Sequence, residues 1–553
     1  SSSSSETTDS TSPQSRAVLA SMASPRYNIH AVRPHPINRG NKAASITEGI
    51  SNSTSGIAKR ALSDAIRISQ PIATSNPAPM HAPLTLATTG TGKTLASINA
   101  FEQLKGEGKA NVALVIVPAG LRNNYAGAVG KFTGSKAAIV KKPTDPVPPE
   151  AEYIVLSYAA FRRDPQGFID AFKPDVMIAD ELQRASNPNG QTYKSLALAR
   201  PQVRYFMGLT ASIAQNEPAE MAPLLGIAGH DPGNKKQFRK RYQKRDPKTN
   251  ERRLQRKEEL AQKVGPVIHY IEDLDASKKP VRDMKYVKVP MSDAQIKLYK
   301  MSMKGIDPKI VAKIEKGEPV SQKQAMHVFT RLLRARQVSN SMHTSMSPGM
   351  KTPKIKAVLD QATQHVTEVS DGKVVIYTNI VKGGLDVLRA GLDARGVSYG
   401  VFAGRGVKGM TEENRNQAVK DYNSGKSRVL LITGAGAEGL DLPDTTLVQI
   451  VDGHYNPERI RQAEARGIRA GGLSHRPQAQ RKVEVRRYVS TLPKTFWQSL
   501  TFRKPTKSVE QWVYSTAGRK QRENRELRDV LQARSIEEKK RRDSTMYRLT
   551  HRD

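Results

Sequence analysis

The stretch Leu86-Ala87-Thr88-Thr89-Gly90-Thr91-Gly92-Lys93-Thr94 holds residue types that can handle a nucleotide. An apolar run enters it at Pro83 to Leu86, and a helix-forming run leaves it from Leu95 to Leu104. Glycines at 90 and 92 let backbone N–H groups turn inward without side-chain clash, and the positive end of the following helix faces the anion. In that arrangement Thr89, Gly90, Thr91 and Gly92 line the phosphates, Lys93 reaches the β- and γ-phosphates, and the Thr94 hydroxyl holds Mg2+. The general pattern opens with glycine where this chain has Ala87, and a glycine turn before an ordinary helix is the bland alternative.

Three further groups carry chemistry. Asp180 and Glu181 follow the apolar run Val176 to Ala179. An acidic pair leaving a buried strand can hold Mg2+ through its first carboxylate and orient water with its second; alone, it is usually a solvated strand end. Gly208-Leu209-Thr210-Ala211-Ser212 ends another run, where its hydroxyls could sense a γ-phosphate or cap the next helix. Arg461 to Arg469 reads as a helix with Gln462, Arg466 and Arg469 at i, i+4 and i+7 on one face. Two guanidiniums there suit an arginine finger acting across a cleft, and the bland reading is a basic helix face.

The elements that must position these groups are short apolar runs separated by helical stretches. Val112 to Val117, Tyr153 to Ser157, Val176 to Ala179 and Tyr205 to Leu209 read as buried parallel strands. A second unit begins near Lys351 and repeats the rhythm at Val374 to Thr378, Tyr399 to Phe402, Val429 to Thr433 and Leu447 to Val451. The alternation implies doubly wound α/β domains, whose ligands sit at the carboxyl ends of the strands.

Composition bounds the partners. With 89 Lys+Arg against 52 Asp+Glu, the net charge of +37 points to a polyanion, nucleic acid by default. The absence of cysteine excludes disulfides, cysteine-ligated zinc and thiol catalysis. No apolar run approaches a membrane span of roughly 18 to 20 residues, so no membrane association is expected. The chain opens on Ser1 rather than Met, which reads as a fragment, a tagged chain or a processed product. Aromatics make up 5% of the chain, and no cluster of them forms a base-stacking platform.

The motifs occur in the order of a superfamily 2 helicase-like ATPase, which the chain resembles from about Pro83 to Tyr514. They run Thr88 to Thr94, Asp180-Glu181-Leu182-Gln183, Thr210 to Asn216, Gly434 to Leu442 and Gln462 to Arg469. Leu156-Ser157-Tyr158, Gln215-Asn216-Glu217, Met291-Ser292-Asp293-Ala294-Gln295, Leu332 to Gln337 and Ser508 to Tyr514 look like its Snf2-type branch. Glu438 to Asp441, Arg469, Ser474-His475 and Val483 to Val489 are similar to poxvirus-type nucleoside triphosphatases and relatives in large DNA viruses and phages. The resemblance implies two RecA-like lobes with helical insertions and a basic helical C-terminal extension. It implies ATP and Mg2+, with Thr94 and Asp180 at the metal, Glu181 activating water, and Gln462, Arg466 and Arg469 completing the site. Gly439 and Asp441 would couple nucleic acid to nucleotide. Gln183 stands where the family usually has His, and Thr210-Ala211-Ser212-Ile213 where Snf2 proteins have Thr-Gly-Thr-Pro, which puts the efficiency of coupling in question.

The domains expected are a disordered Ser/Thr/Pro-rich tail at 1–55, lobe 1 at 56–275 with a preceding helix and a basic helical insertion near 234–263, a helical linker at 276–350, lobe 2 at 351–515, and a basic helical tail at 516–553. The function implied is a DNA-dependent ATPase that moves along double-stranded DNA to remodel or displace bound protein or RNA polymerase. A monomer is expected, acting in a host cytoplasm or nucleus or packaged in a virion. A strand-separating DNA or RNA helicase is the second reading. A basic nucleic-acid-binding virion protein with a decayed ATPase is the third.

Overall fold

The computed structural model describes residues 84–87, 92–230, 233–247, 251–271, 280–310, 313, 321–342, 352–404, 406–434, 440, 442–468, 472–492, 508–533 and 535. Thr89, Gly90, Thr91, Gly439, Asp441 and Arg469, with the expected N-terminal tail and its following helix, lie outside these residues.

Strands covered by helices on both faces must be apolar on both, and the first half of the chain supplies such runs. The strands are β1 (Leu84–Ala87), β2 (Ala113–Val117), β3 (Lys136–Ile139), β4 (Ala151–Ser157), β5 (Val176–Asp180) and β6 (Tyr205–Thr210), with β3 a partly exposed edge strand. After an antiparallel hairpin of β7 (Gln243–Arg245) and β8 (Arg252–Leu254) comes β9 (Ile268–Ile271). The sheet runs β3-β4-β2-β5-β6-β1-β9 and every pairing in it is parallel. All residues of β2, β5 and β6 are buried. Alternate side chains of β2 serve opposite faces: Leu114 and Ile116 join Phe161, Phe206 and Leu224, whereas Ala113, Val115 and Val117 join Phe101 and Tyr153. The covering helices include α1 (Lys93–Gly106), α2 (Arg122–Phe132), α3 (Pro165–Phe172), α4 (Gln191–Ala199) and α5 (Met221–Ile227).

The insertion near 234–263 is not purely helical. Helices α6 (Lys235–Tyr242) and α7 (Lys257–Val264) flank the β7–β8 hairpin. Its arginines are tied into ion pairs, Arg239 and Arg252 both meeting Glu217 and Arg241 meeting Glu259.

The expected helical linker at 276–350 includes a strand. β10 (Val281–Pro290) pairs along its whole length with β15 (Lys482–Thr491), from Val281↔Lys482 to Pro290↔Thr491. The second sheet is thereby β10-β15-β14-β11-β13-β12, all parallel, with β11 (Lys373–Thr378), β12 (Tyr399–Phe402), β13 (Val429–Thr433) and β14 (Thr445–Ile450). Helices α8 (Asp293–Met303) and α9 (Gln322–Asn340) follow β10, and both start on a capping box, from Ser292–Gln295 and Ser321–Gln324. Next come α10 (Pro353–Glu368), α11 (Asp386–Asp393), α12 (Glu412–Asn423) and α13 (Pro457–Gly467).

The boundary expected at 515/516 falls inside a helix. α14 (Val509–Ala533) starts in the cluster of Met291, Ile296, Tyr299, Val328 and Leu332, and its Leu527 and Leu531 are fully buried in the core of lobe 1. The described part of the expected tail is thus a structural element of both lobes.

Candidate active site

Gly92 has φ +85°, and a Cβ there would meet nothing within 4 Å, so the backbone angle rather than crowding calls for glycine. The left-handed turn delivers the chain directly into α1, whose first residue is Lys93 and second is Thr94. The start of that helix is pinned from below. Ser97 Oγ donates to the Thr94 carbonyl at 2.9 Å and lies 2.8 Å from Tyr125 Oη.

Asp180 ends β5 at the carboxyl edge of the sheet, buried. Burial first, and then the Glu181 charge, push its carboxyl up to about 7, while Lys93, the Glu181 N–H and Arg184 pull it back. A poorly solvated carboxylate and the Thr94 hydroxyl are hard oxygen donors. Such a pair fits Mg2+, which takes one or two carboxylates and completes its shell with substrate phosphates and water. Among the described residues no cluster of three or more His, Asp or Glu forms a separate metal cage.

Glu181 sits at φ +55°, ψ 48°, in the left-handed region that costs a side-chain-bearing residue roughly 1 kcal/mol or more. The surroundings enforce that conformation. Its N–H donates to Asp180 Oδ1 at 2.9 Å, Gln183 Nε2 donates to its carboxylate, and Lys93 Nζ lies 4.0 Å from Oε1. Tyr158 Oη donates to the Asp180 carbonyl at 2.7 Å, fixing the turn from the other side.

The Thr210 and Ser212 hydroxyls, which the sequence suggests as γ-phosphate sensors, are directed inward. Thr210 Oγ1 is fully buried, 2.5 Å from Gln183 Oε1 and 2.9 Å from the Ser212 carbonyl, and its one proton points to this inward pair of acceptors. Ser212 Oγ donates to the Ala214 carbonyl at 2.7 Å. Gln183 therefore links Glu181 to Thr210, and an amide suits that place because it donates on one side and accepts on the other.

In lobe 2, Asn456 caps α13, its Oδ1 accepting from Glu458 N at 2.9 Å. Glu464, almost fully buried, receives Arg487 at 2.7 Å and also Arg282, which fixes the rotation of the helix. Gln462 and Arg466 each lie two residues, about 200° of turn, from Glu464 and so occupy the opposite side. The described helix ends at Gly467, and Arg469, the third position of the expected face, lies outside the described residues. Gly467 is packed against β14: a Cβ would come within 2.7 Å of Thr445 Cγ2 and 2.8 Å of Val448 Cγ2. Gly467→Ala is expected to push the end of α13 off the sheet and to cost about 1–3 kcal/mol of stability, read as a lowered urea midpoint.

Sequence reasoning missed the turn after β14. Asp452, fully buried, accepts from Asn379 N at 2.5 Å, Thr378 Oγ1 at 3.0 Å and Asn340 Nδ2 at 3.3 Å, joining α9, β11 and β14. Asn456 Nδ2 donates across to Gln215 Oε1 of lobe 1 at 3.2 Å. The available signal was an acid directly after the apolar run Leu447 to Val451, the same pattern that marks Asp180.

Between them, His454 Nδ1 accepts from Asn456 N at 2.9 Å. Burial first, then Arg459 and Arg336, lower its pKa from 6.5 to about 4. The unfolded chain binds this proton more readily, so the contribution to stability is full above about 6.5 and is lost as pH falls toward about 4. His454→Asn is expected to shrink the drop in denaturant midpoint between neutral and mildly acidic buffer; an unchanged drop would assign it to other groups.

Residues 84–344 match the SNF2-related domain family, and residues 353–471 match the helicase conserved C-terminal domain family. An Acanthamoeba polyphaga mimivirus protein, provisionally named ATP-dependent RNA helicase L538, is 27% identical over 358 residues, covering 63% of this chain and 75% of that protein. A Caenorhabditis elegans homologue of the SWI/SNF-related chromatin regulator of subfamily A containing DEAD/H box 1 is 23% identical over 488 residues. That match covers 72% of this chain and 46% of the relative. The solved Sulfolobus solfataricus SWI2/SNF2 ATPase core in complex with dsDNA aligns over 81% of this chain and 92% of that one, at 20% identity and a TM-score of 0.34. With both domain families matched in order along one chain, over two lobes built on parallel sheets, this chain belongs to the Snf2-type branch of the superfamily 2 helicase-like ATPases and is an ATP-hydrolysing enzyme.

Proposed function

We propose that the protein is a DNA-stimulated ATPase that translocates on double-stranded DNA and uses hydrolysis to remodel or displace bound protein or a polymerase. The observation that carries this reading is the SNF2-related domain over 84–344, joined to a net charge of +37. Phosphate contacts from so basic a chain supply grip without reading sequence.

In this reading Thr89, Gly90, Thr91, Gly92 and Lys93 hold the phosphates of ATP. Thr94 and Asp180 would hold Mg2+, which offsets phosphate charge when bound. Glu181, aimed by Gln183 and by its left-handed backbone, orients and deprotonates the attacking water. Gln462, Arg466 and Arg469 come from lobe 2 to stabilise the charge developing on the γ-phosphate, so the site is complete only when the lobes close. Gly439 and Asp441 couple that closure to nucleic acid. Release of phosphate reopens the lobes, and each cycle advances the protein along the duplex. The mimivirus relative supports a viral setting, with the protein acting as a monomer inside an infected host cell or carried in a virion.

A second reading is a strand-separating helicase, favoured by the name of that same relative. Two substrates discriminate. A duplex translocase displaces the third strand of a DNA triplex and leaves a tailed duplex annealed. A helicase separates the tailed DNA or RNA duplex, and that result overturns the proposal.

A further inference from the structure

The two lobes touch directly through Asn456 and Gln215, yet most of the polar bonds that join them in the described residues run through α14. At about 1.5 Å per residue its 25 residues reach roughly 37 Å. Its first half is fastened to lobe 2. Ser508 caps it, Val509 N donates to Tyr299 Oη at 2.9 Å, and the buried Glu510 receives Lys354 Nζ at 2.5 Å and Ser490 N at 2.6 Å. Tyr514 lies so close over the β14 turn that a Cβ on Gly453 would sit 2.8 Å from its ring.

The second half is fastened to lobe 1. Lys520 Nζ donates to Asn216 Oδ1 at 3.0 Å, and Asn524 Nδ2 donates to the Ala214 carbonyl at 3.0 Å. Glu523 accepts from Arg252 N at 2.9 Å, Glu526 accepts from Leu254 N at 3.0 Å and pairs with Lys257 at 2.6 Å. Leu527 and Leu531 are buried in the lobe 1 core. Arg528 additionally lies within electrostatic reach of Glu458 on α13.

Gly518 falls between these halves, inside the helix. Glycine is the poorest helix former after proline. Packing does not ask for it here: a Cβ would meet only the end of Arg522, at 3.8 Å, an ordinary contact with a flexible side chain. The backbone needs no left-handed angle either, since Gly518 is absent from the positive-φ residues.

We propose that α14 is a strap between the lobes and that Gly518 is its hinge. A stiff rod fastened into both cores resists any change in the angle between them. A glycine at the point where the fastening changes sides lets the two halves of the rod bend apart as the lobes move. Ala214 and Asn216, the residues held by the second half, directly follow the Thr210–Ser212 turn that contacts Gln183. Bending of the strap is thus mechanically continuous with the acidic turn that carries Glu181. This inference rests on the proposed closure of the lobes around nucleotide, and Gly518 acts as a positioning residue, away from the reacting atoms.

The test is Gly518→Ala. Alanine fits the space and improves helix propensity, so the variant is expected to fold and to melt about 1–3 °C higher than wild type. A merely structural glycine would end there. A hinge predicts that kcat with saturating duplex DNA falls by roughly threefold or more despite the higher Tm. Because the chain has no cysteine, Leu198→Cys and Glu413→Cys give a single labelled pair, one dye on each lobe, for distance measurement. In the otherwise wild-type pair, an unhydrolysed ATP analogue should shorten the distance; with Gly518→Ala the change should shrink. Equal distance changes and equal kcat in both backgrounds overturn the hinge. No distance change in the wild-type pair instead overturns the closure reading, so the two failures are distinguishable.

Discussion

Replacing Glu181 by glutamine is expected to lower kcat for ATP hydrolysis by about 10^2- to 10^4-fold, the range for removing a positioned general base. Binding should survive. The substituted amide keeps an oxygen that can accept from Gln183 Nε2, and the Lys93 end of the phosphate loop is untouched. The variant should bind a fluorescent ATP analogue close to wild-type affinity and accumulate as the ATP complex. A kcat within a few-fold of wild type, with binding intact, would remove Glu181 from the reaction. A smaller loss is expected for Gln183→Ala, since that change releases the carboxylate without removing it.

The other large effect concerns stability. Lys354 and Glu510 are each about 1% exposed, and Lys354 Nζ lies 2.5 Å from Glu510 Oε1 and 3.0 Å from the Val451 carbonyl. Their attraction has to offset the desolvation of two charges, so the pair adds little against an apolar pair of similar shape. Breaking it is another matter. Lys354→Met leaves a carboxylate buried with Ser490 N as its remaining strong partner, which should cost about 3–5 kcal/mol. Equilibrium urea unfolding reads the loss, and Lys354→Met with Glu510→Leu should recover most of it. A single variant as stable as wild type would mean that the start of α14 is not held through this pair.

The strands β2, β4, β5, β6, β11, β13 and β14 were legible because they lie inside their sheets with both faces covered, so Ala113–Val117 or Val429–Thr433 could only be apolar throughout. β10 was not. As the edge of its sheet it has no fully buried residue, and Arg282, Asp283, Lys285 and Lys288 break any apolar run. The extent of α14 was hidden for a related reason. Between Ala517 and Leu527 its apolar stripe gives way to polar side chains, because that stretch crosses the join between lobes and makes its contacts through Lys520, Glu523 and Asn524. Local periodicity cannot announce a partner that lies about 300 residues away in the chain.

The site shows the same division. The placement of Lys93 at a helix start and of Asp180 and Glu181 at a strand end was readable because a glycine turn and an acidic pair after an apolar run are local signals. The inward direction of Thr210 was not, since it depends on Gln183, whose amide reaches both ways from a turn shaped by Glu181 at positive φ. Gln183 thereby supplies a side-chain link between the acidic turn and the strand after it.

The most direct measurement is the rate of ATP hydrolysis with no polymer, with duplex DNA, with single-stranded DNA and with RNA, each at two salt concentrations. Strong stimulation by duplex DNA, weakening as salt rises and absent in Lys93→Ala, is the expected result. Greater stimulation by a single strand or by RNA, or hydrolysis indifferent to every polymer, contradicts a translocase on double-stranded DNA.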